Sequence, residues 1–285
     1  MPKHSACYLC GKSEFKIRDG KVRDNPDLKV IECLSCGLVF LSSFEHINQD
    51  FYEQARMHEK LPDINVWLEG LACDDDRRFA FLKSLIENKS VLDFGCGPGG
   101  FLARARTVAS RVSGVELEKR LKPYFLEKGL EVFSDINEIT ARFDVITLFH
   151  VLEHMKDPVA ILRELSGKLY DNGCIIVEVP SADDALLKLY ESIHFSQFTY
   201  WSCHLFLFTR STIASAAGKA GLKVNYIKQV QRYPLSNHLY WLAKGKPGGH
   251  KIWGFLDSEA LNKAYEAQLA SANLCDTLIA SFSKG

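Results

Sequence analysis

The stretch Ser90 to Gly100, SVLDFGCGPGG, constrains this chain more than any other. Val91, Leu92 and Phe94 form a compact apolar run of the kind found in a parallel strand covered on both faces. Gly95, Gly97, Gly99 and Gly100 follow at once, and Phe101 to Ala109 resumes a helical pattern. A strand, a tight glycine turn and a helix bring backbone N–H groups and the positive end of a helix close to a ligand. The expected fold is α/β, a Rossmann-like, doubly wound sheet.

The glycines alone leave the ligand open, because Gly95, Gly97 and Gly100 also satisfy G-x-G-x-x-G, the dinucleotide fingerprint. Asp93 tips the choice. A carboxylate two residues before Gly95 would repel a pyrophosphate but suits a ligand carrying an ammonium and a sulfonium, as S-adenosylmethionine does. A second acid, Glu116, ends the next apolar run, VSGVE, where a carboxylate can accept from both ribose hydroxyls. Its plainer reading is a solvated charge at a strand end.

Nine cysteines are unevenly placed. Cys7, Cys10, Cys33 and Cys36 form two C-x-x-C pairs, each followed by a glycine, Gly11 and Gly37. Four thiolates so arranged suit a tetrahedral Zn²⁺ without an open position, hence a structural metal, with iron in a rubredoxin-like site as an alternative. Residues 1–41 are too poor in apolar side chains to fold alone and read as a zinc ribbon that draws its stability from the metal. Cys73, Cys96, Cys174, Cys203 and Cys275 are read as small buried hydrophobes.

The 285 residues carry 35 basic and 35 acidic side chains, which argues against nucleic acid as a partner. No apolar run approaches the ~20 residues of a membrane span, and MPKHSACYLC lacks a signal-peptide apolar core, so a cytoplasmic protein without membrane insertion is expected.

Along the chain, residues 42–88 read as a helical lead-in in which Asp74 is a plausible N-cap ahead of Arg77 to Ile86. Residues 89–232 form the core. Leu130 to Phe133 is a short strand, and Asp135 after it reads equally as a helix cap. Phe143 to Phe149 is a strand ending in His150, and since ligands gather at strand ends of such sheets, Phe149 and His150 should border the reacting group. Asp157-Pro158 caps a helix reaching Leu169, and Ile175 to Val179 is the next strand. Ser181 to Phe208 is rich in aromatics and histidine and reads as the substrate cover, with Phe206 and Phe208 alternating as in a strand. A helix from Thr209 or Ser211 to Ala220 and a strand Lys223 to Val230 follow. Residues 233–285 read as a loop and a C-terminal amphipathic helix, Asp257 to Ser283, that packs on the core or on a second copy of the chain.

From Arg77 to Val230 the sequence resembles the class I S-adenosylmethionine-dependent methyltransferases: VLDFGCGPGG, GVELEKR, FDVITLFHVLEHMKDP and GCIIVEVP match four of their ordered motifs. The resemblance implies a cofactor set of Asp93, Gly95, Cys96, Gly97, Gly99, Glu116, Leu117, Asp135, Ile136, Phe149 and His150. It places Phe51 or Tyr52 over the cofactor, Asp135 at the adenine amino group, and Glu153 and His154 in a structural role. A ribbon ahead of such a core resembles the sugar C-methyltransferases, which implies a small-molecule acceptor such as a sugar or nucleotide sugar. Those enzymes carry a His preceded by Glu; here His204 is preceded by Cys203. His204 and His150 are the candidate catalytic bases. An NAD-dependent oxidoreductase, an RNA methyltransferase that uses the ribbon for binding, and a non-catalytic cofactor-binding protein are the competing readings.

Overall fold

The computed structural model describes residues 4–47 and 61–285, so Phe51 and Tyr52 lie outside the described residues. Three short strands, β1 (Phe15–Ile17), β2 (Val30–Cys33) and β3 (Val39–Leu41), form the N-terminal antiparallel ribbon. The core then supplies β4 (Ser90–Phe94), β5 (Arg111–Val115), β6 (Val132–Phe133), β7 (Phe143–Phe149) and β8 (Leu169–Pro180). After them come β9 (Phe206–Leu207), β10 (Leu222–Val230) and β11 (Thr277–Lys284).

The main sheet has seven strands in the order β10-β11-β8-β7-β4-β5-β6. Strands β4 to β8 pair in parallel, while β11 runs antiparallel to both β8 and β10. Such parallel pairing requires crossovers, here the helices Gly100–Ala105, Lys122–Lys128 and Pro158–Gly167. Asp157 caps the last of these by accepting from Ala160 N–H, with Pro158 in its first turn, as expected. Thr209 likewise caps the helix Arg210–Lys219.

Three expectations are corrected. The amphipathic helix drawn over Asp257 to Ser283 ends at Ser271, and Thr277–Lys284 is instead the strand β11. Its TLIASF segment is buried on both faces between β8 and β10, and an apolar run that short has no period separating strand from helix. The helix that remains, Glu259–Ser271, rests Leu269 and Tyr265 on Ala185 and Cys275 of the same chain. Asp74 is not an N-cap: the helix begins ten residues earlier and spans Ile64–Ile86, capped by Asp63, whose carboxylate accepts from Asn65 and Val66 N–H. The stretch read as a loop holds the helix Leu235–Lys244, with Pro234 at its start and left-handed Gly245 (φ 63°) at its end. The turn residues mark the two ends of that helix.

The ribbon is built into the core. Strand β3 pairs antiparallel with β9, matching Val39 to Leu207 and Phe40 to Phe206, so the ribbon sheet takes its fourth strand from the segment read as substrate cover. Tyr8, Phe44, Phe40, Phe206 and Phe208 stack in one aromatic group, and one continuous apolar cluster runs from Cys7 to Phe282. Ser202 bonds Asp24 through both its N–H (2.9 Å) and its hydroxyl (2.6 Å), and Arg23 N–H donates to Tyr200 O at 2.9 Å. If the cysteine ribbon holds a metal, its removal would therefore uncover Phe206 and Phe208, which are fully buried. Chelator treatment is expected to shift the unfolding transition of the whole chain downward, followed by near-UV circular dichroism. A separate early transition with the main one unmoved would show that the ribbon folds independently.

Candidate functional site

The C-terminal ends of β4, β5 and β7 open onto a cavity of about 450 Å³. Where β4 ends, Gly95 (φ 76°) and Gly97 (φ 52°) turn the chain through left-handed backbone, which glycine adopts without steric cost. A side-chain carbon at Gly95 would also run into Val151. Beyond β5, the Glu116 carboxylate accepts from Gly97 N–H at 2.8 Å and from Glu118 N–H at 2.9 Å, so the glycine turn and the acid are fastened together.

Gly95, Gly97, Glu116, Leu117, Asp135, Ile136 and His150 of the expected cofactor set all line this cavity. Asp135 accepts from Asn137 N–H at 2.8 Å and also lines the cavity, so its role as a cap leaves it on the cavity wall. Asp93, Cys96, Gly99 and Phe149 lie behind the wall instead. Cys96 packs against Gly114 and Gly99 against Leu130, both close enough to leave no room for a Cβ on either glycine. Phe149 turns away from the cavity, meeting Phe101 edge-on at 4.9 Å with the Arg78 guanidinium 4.6 Å over its ring.

Asp93 is 2% exposed and accepts from the Thr147 hydroxyl at 2.7 Å. Burial pushes its carboxyl up to about 7, against the Thr147 hydrogen bond and the attraction of Arg78.

Reading from sequence missed a buried ionic network beside the cavity. Glu178, in the apolar run IIVEVP of β8, is fully buried and accepts from Arg78 Nη2 at 2.7 Å and from Arg77 Nη1 at 3.0 Å, both on the Ile64–Ile86 helix. A charge inside a buried strand requires partners, and that was the available signal. His150 sits at φ 55°, its Nδ1 3.2 Å from Glu153 and its Nε2 3.2 Å from Glu178. Arg232, from the segment after β10, bonds both Asp74 oxygens and brings Nη1 within 3.1 Å of His150 Nε2. Burial and Arg232 favour the neutral ring of His150, but the two carboxylates prevail and raise its pKa. That shift, and the ties to Glu153, Glu178 and Arg232, work against His150 as the base.

The other expected base, His204, is not on the cavity wall. Burial pushes it down to about 3, and it meets His154 edge-to-face at 4.9 Å. His154 does line the cavity, and its Nδ1 is 2.8 Å from the carbonyl oxygen of Cys203. A carbonyl only accepts, so Nδ1 carries the proton and Nε2 is the basic nitrogen of the neutral ring. None of the cavity's lining residues comes from Ser181 to Phe208.

In the ribbon, Cys7 and Cys36 Sγ lie 3.6 Å apart and Cys10 and Cys33 Sγ 3.4 Å, all four sulfurs within 4.8 Å of one another. A tetrahedron with Zn–S bonds of about 2.3 Å has edges of about 3.8 Å, so the thiols are spaced for a tetrahedral metal. Gly11 and Gly37, both left-handed, close the knuckles by donating to Cys7 and Cys33 carbonyls at 2.9 Å.

Because Asp93 ionises near pH 7 folded but near pH 3.9 unfolded, the folded chain holds a proton that the unfolded chain has lost between those values. Stability therefore falls through that window as pH rises. Asp93→Asn keeps the Thr147 bond and removes this penalty. Its stability relative to the parent is expected to improve from pH 5 to pH 8 by about 1–3 kcal/mol in urea unfolding. A relative loss on raising the pH would overturn the assignment.

The family described as "Methyltransferase domain" matches residues 67–227. The ubiquinone biosynthesis O-methyltransferase of Pseudomonas aeruginosa (strain UCBPP-PA14) is 25% identical over 220 residues, covering 70% of this chain and 88% of that one. That of Neisseria meningitidis serogroup C (strain 053442) is 30% identical over 149 residues, 47% of this chain and 59% of that one. Matches to the enzymes so named from Stutzerimonas stutzeri and Bordetella pertussis span only 38% and 42% of those proteins' length. Among solved structures, coclaurine N-methyltransferase bound to N-methylheliamine and SAH superposes with a TM-score of 0.50 at 17% identity, covering 74% of this chain and 72% of that one, a likeness of fold. The match over residues 67–227 takes in the glycine turn, Glu116 and the strands around the cavity, and the chain belongs to the methyltransferase-domain family.

Proposed function

We propose that this chain is an S-adenosylmethionine-dependent methyltransferase acting on a hydroxyl group of a small molecule. The observation that carries the reading is the convergence of the left-handed Gly95-to-Gly97 turn and the Glu116 carboxylate on one cavity. The oxygens of Glu116 accept backbone N–H groups of Gly97 and Glu118, and a carboxylate offers about four acceptor positions, which leaves capacity for a ribose hydroxyl. Asp135 and Ile136 would border the adenine, and Asp93, ionised as a cationic ligand approaches, would offset the sulfonium and ammonium charges from behind Gly95. The cofactor, when bound, supplies an electrophilic methyl group. What remains for the protein is alignment of the acceptor and removal of its proton.

His154, neutral and on the cavity wall, is the imidazole placed to take that proton; His150 is tied between carboxylates and His204 lies behind. Trp67, Val151, Met155 and Ile161 make the wall largely apolar, which suits the flat ring of a quinone precursor, the acceptor class to which the relatives' names point. A sugar or nucleotide sugar is the second reading, favoured by the cysteine ribbon ahead of the core. The ribbon is proposed to hold a structural Zn²⁺ through Cys7, Cys10, Cys33 and Cys36.

Release of S-adenosylhomocysteine is to be measured over phenolic quinone precursors, nucleotide sugars and bulk RNA. Turnover on the phenols alone supports the first reading, turnover on nucleotide sugars the second, and turnover on RNA alone overturns both. Glu116→Ala is expected to weaken S-adenosylhomocysteine binding about 10- to 100-fold, the scale of lost charge-assisted hydrogen bonds. Unchanged affinity would remove Glu116 from the site. His154→Ala is expected to lower kcat by about 10²- to 10⁴-fold with that affinity retained.

A further inference from the structure

Between the cavity and the ribbon, the chain brings together a second group of metal-ligating side chains, from two segments about fifty residues apart. His154 comes from the turn after β7, Cys203 and His204 from the segment before β9, and their ligand atoms all lie within 4.8 Å of one another. Cys203 is fully buried and His154 nearly so. The backbone holds the segments in register: Leu205 N–H donates to Glu153 O at 2.9 Å, and His154 Nδ1 donates to the Cys203 carbonyl at 2.8 Å. A bond from one ring nitrogen to a carbonyl is how an outer partner orients a metal-bound histidine. Glu153 adds an independent observation, since its Oε2 is fully buried and has no hydrogen-bond partner among the described residues, while Oε1 contacts His150. A buried carboxylate oxygen left unpaired is costly and calls for a positive charge nearby.

We propose that His154, Cys203 and His204 form a second metal site, for a divalent cation of the zinc class. One thiolate and two imidazoles suit Zn²⁺ over the hard cations, which take oxygen ligands. The charges balance: Zn²⁺ with one thiolate and two neutral imidazoles carries one net positive charge, and the Glu153 carboxylate beside it carries one negative. Binding releases the Cys203 thiol proton to solvent. Three protein ligands leave the fourth tetrahedral position open, in contrast to the four-thiolate ribbon. His154 belongs both to this trio and to the cavity wall, so the site adjoins the cavity. Cys203, which breaks the expected Glu-His pair, thereby becomes a ligand. The proton-removing role argued for His154 would then pass through the metal, whose bound water or acceptor hydroxyl ionises more readily.

The test is a metal count on the untagged full-length protein, saturated with zinc and freed of excess by gel filtration. Two equivalents per chain are expected. Cys203→Ala and His204→Ala should each lower the count to one, and Cys10→Ser should lower it by removing the ribbon metal alone. A count of one in the parent protein overturns the proposal, as does a count of two that survives in Cys203→Ala. Cobalt titration of the parent protein needs no variant. The second equivalent should add thiolate-to-cobalt charge-transfer intensity with a ligand-field band unlike that of the four-thiolate site; no added intensity overturns the proposal. Metal binding without methyl transfer would leave this site standing and reject the proposed function, and transfer by a protein holding one metal would do the reverse.

Discussion

A single buried carboxylate organises the functional end of this molecule. Glu178 sits on β8 near the middle of the sheet, fully screened from water, where an unpaired negative charge would be prohibitive. Arg77 and Arg78 answer it from the Ile64–Ile86 helix, and His150 from the turn after β7. Satisfying one charge thus sets three things at once: the seating of a 23-residue helix, the position of His150, and the left-handed backbone that His150 adopts. The network extends through Asp74 to Arg232, whose backbone N–H is held by Asp276 just before β11. Loss of one partner from such a group costs about 3–5 kcal/mol, because it strands the others.

That ionic layer separates two different kinds of wall. Toward β4 and β5 lie glycines, Glu116 and Asp135, a surface made of backbone and acceptors. On the ribbon side His154 lines the cavity, with His204 and Cys203 packed behind it. The cavity is therefore asymmetric, and the asymmetry follows from chain order. The strands that begin the core bring the glycine turn, whereas the segment that pairs with the ribbon brings the soft donors.

The ribbon matters to the site through this pairing. Its four sulfurs lie far from the cavity in sequence, yet β3 holds β9, and Leu205 next to β9 holds the backbone of Glu153. A small module that could not close a core on its own is stabilised by a shared apolar cluster and, in return, pins the histidine-bearing segment. Two knuckles and a two-residue strand thus reach the backbone of Glu153 through strand pairing and a shared apolar cluster.

Local signals determined much of this from sequence. The glycine turn, Glu116, Asp135, the Asp157-Pro158 cap and the two C-x-x-C-G pairs were legible because each depends on residues adjacent in the chain, where backbone freedom and ligand spacing act directly. The tertiary structure alone decided what depends on distant partners. Thr277–Lys284 is a strand because β8 and β10 leave a slot between them; its apolar run has no period of its own to say so. Asp74 looked like a cap until the fold put it in contact with Arg232, 158 positions away in sequence. His204 looked like a base until burial behind His154 removed it from the cavity. The protonation and partners of a side chain follow from its dielectric surroundings and neighbouring charges, and in a doubly wound sheet those come from strands far apart in sequence.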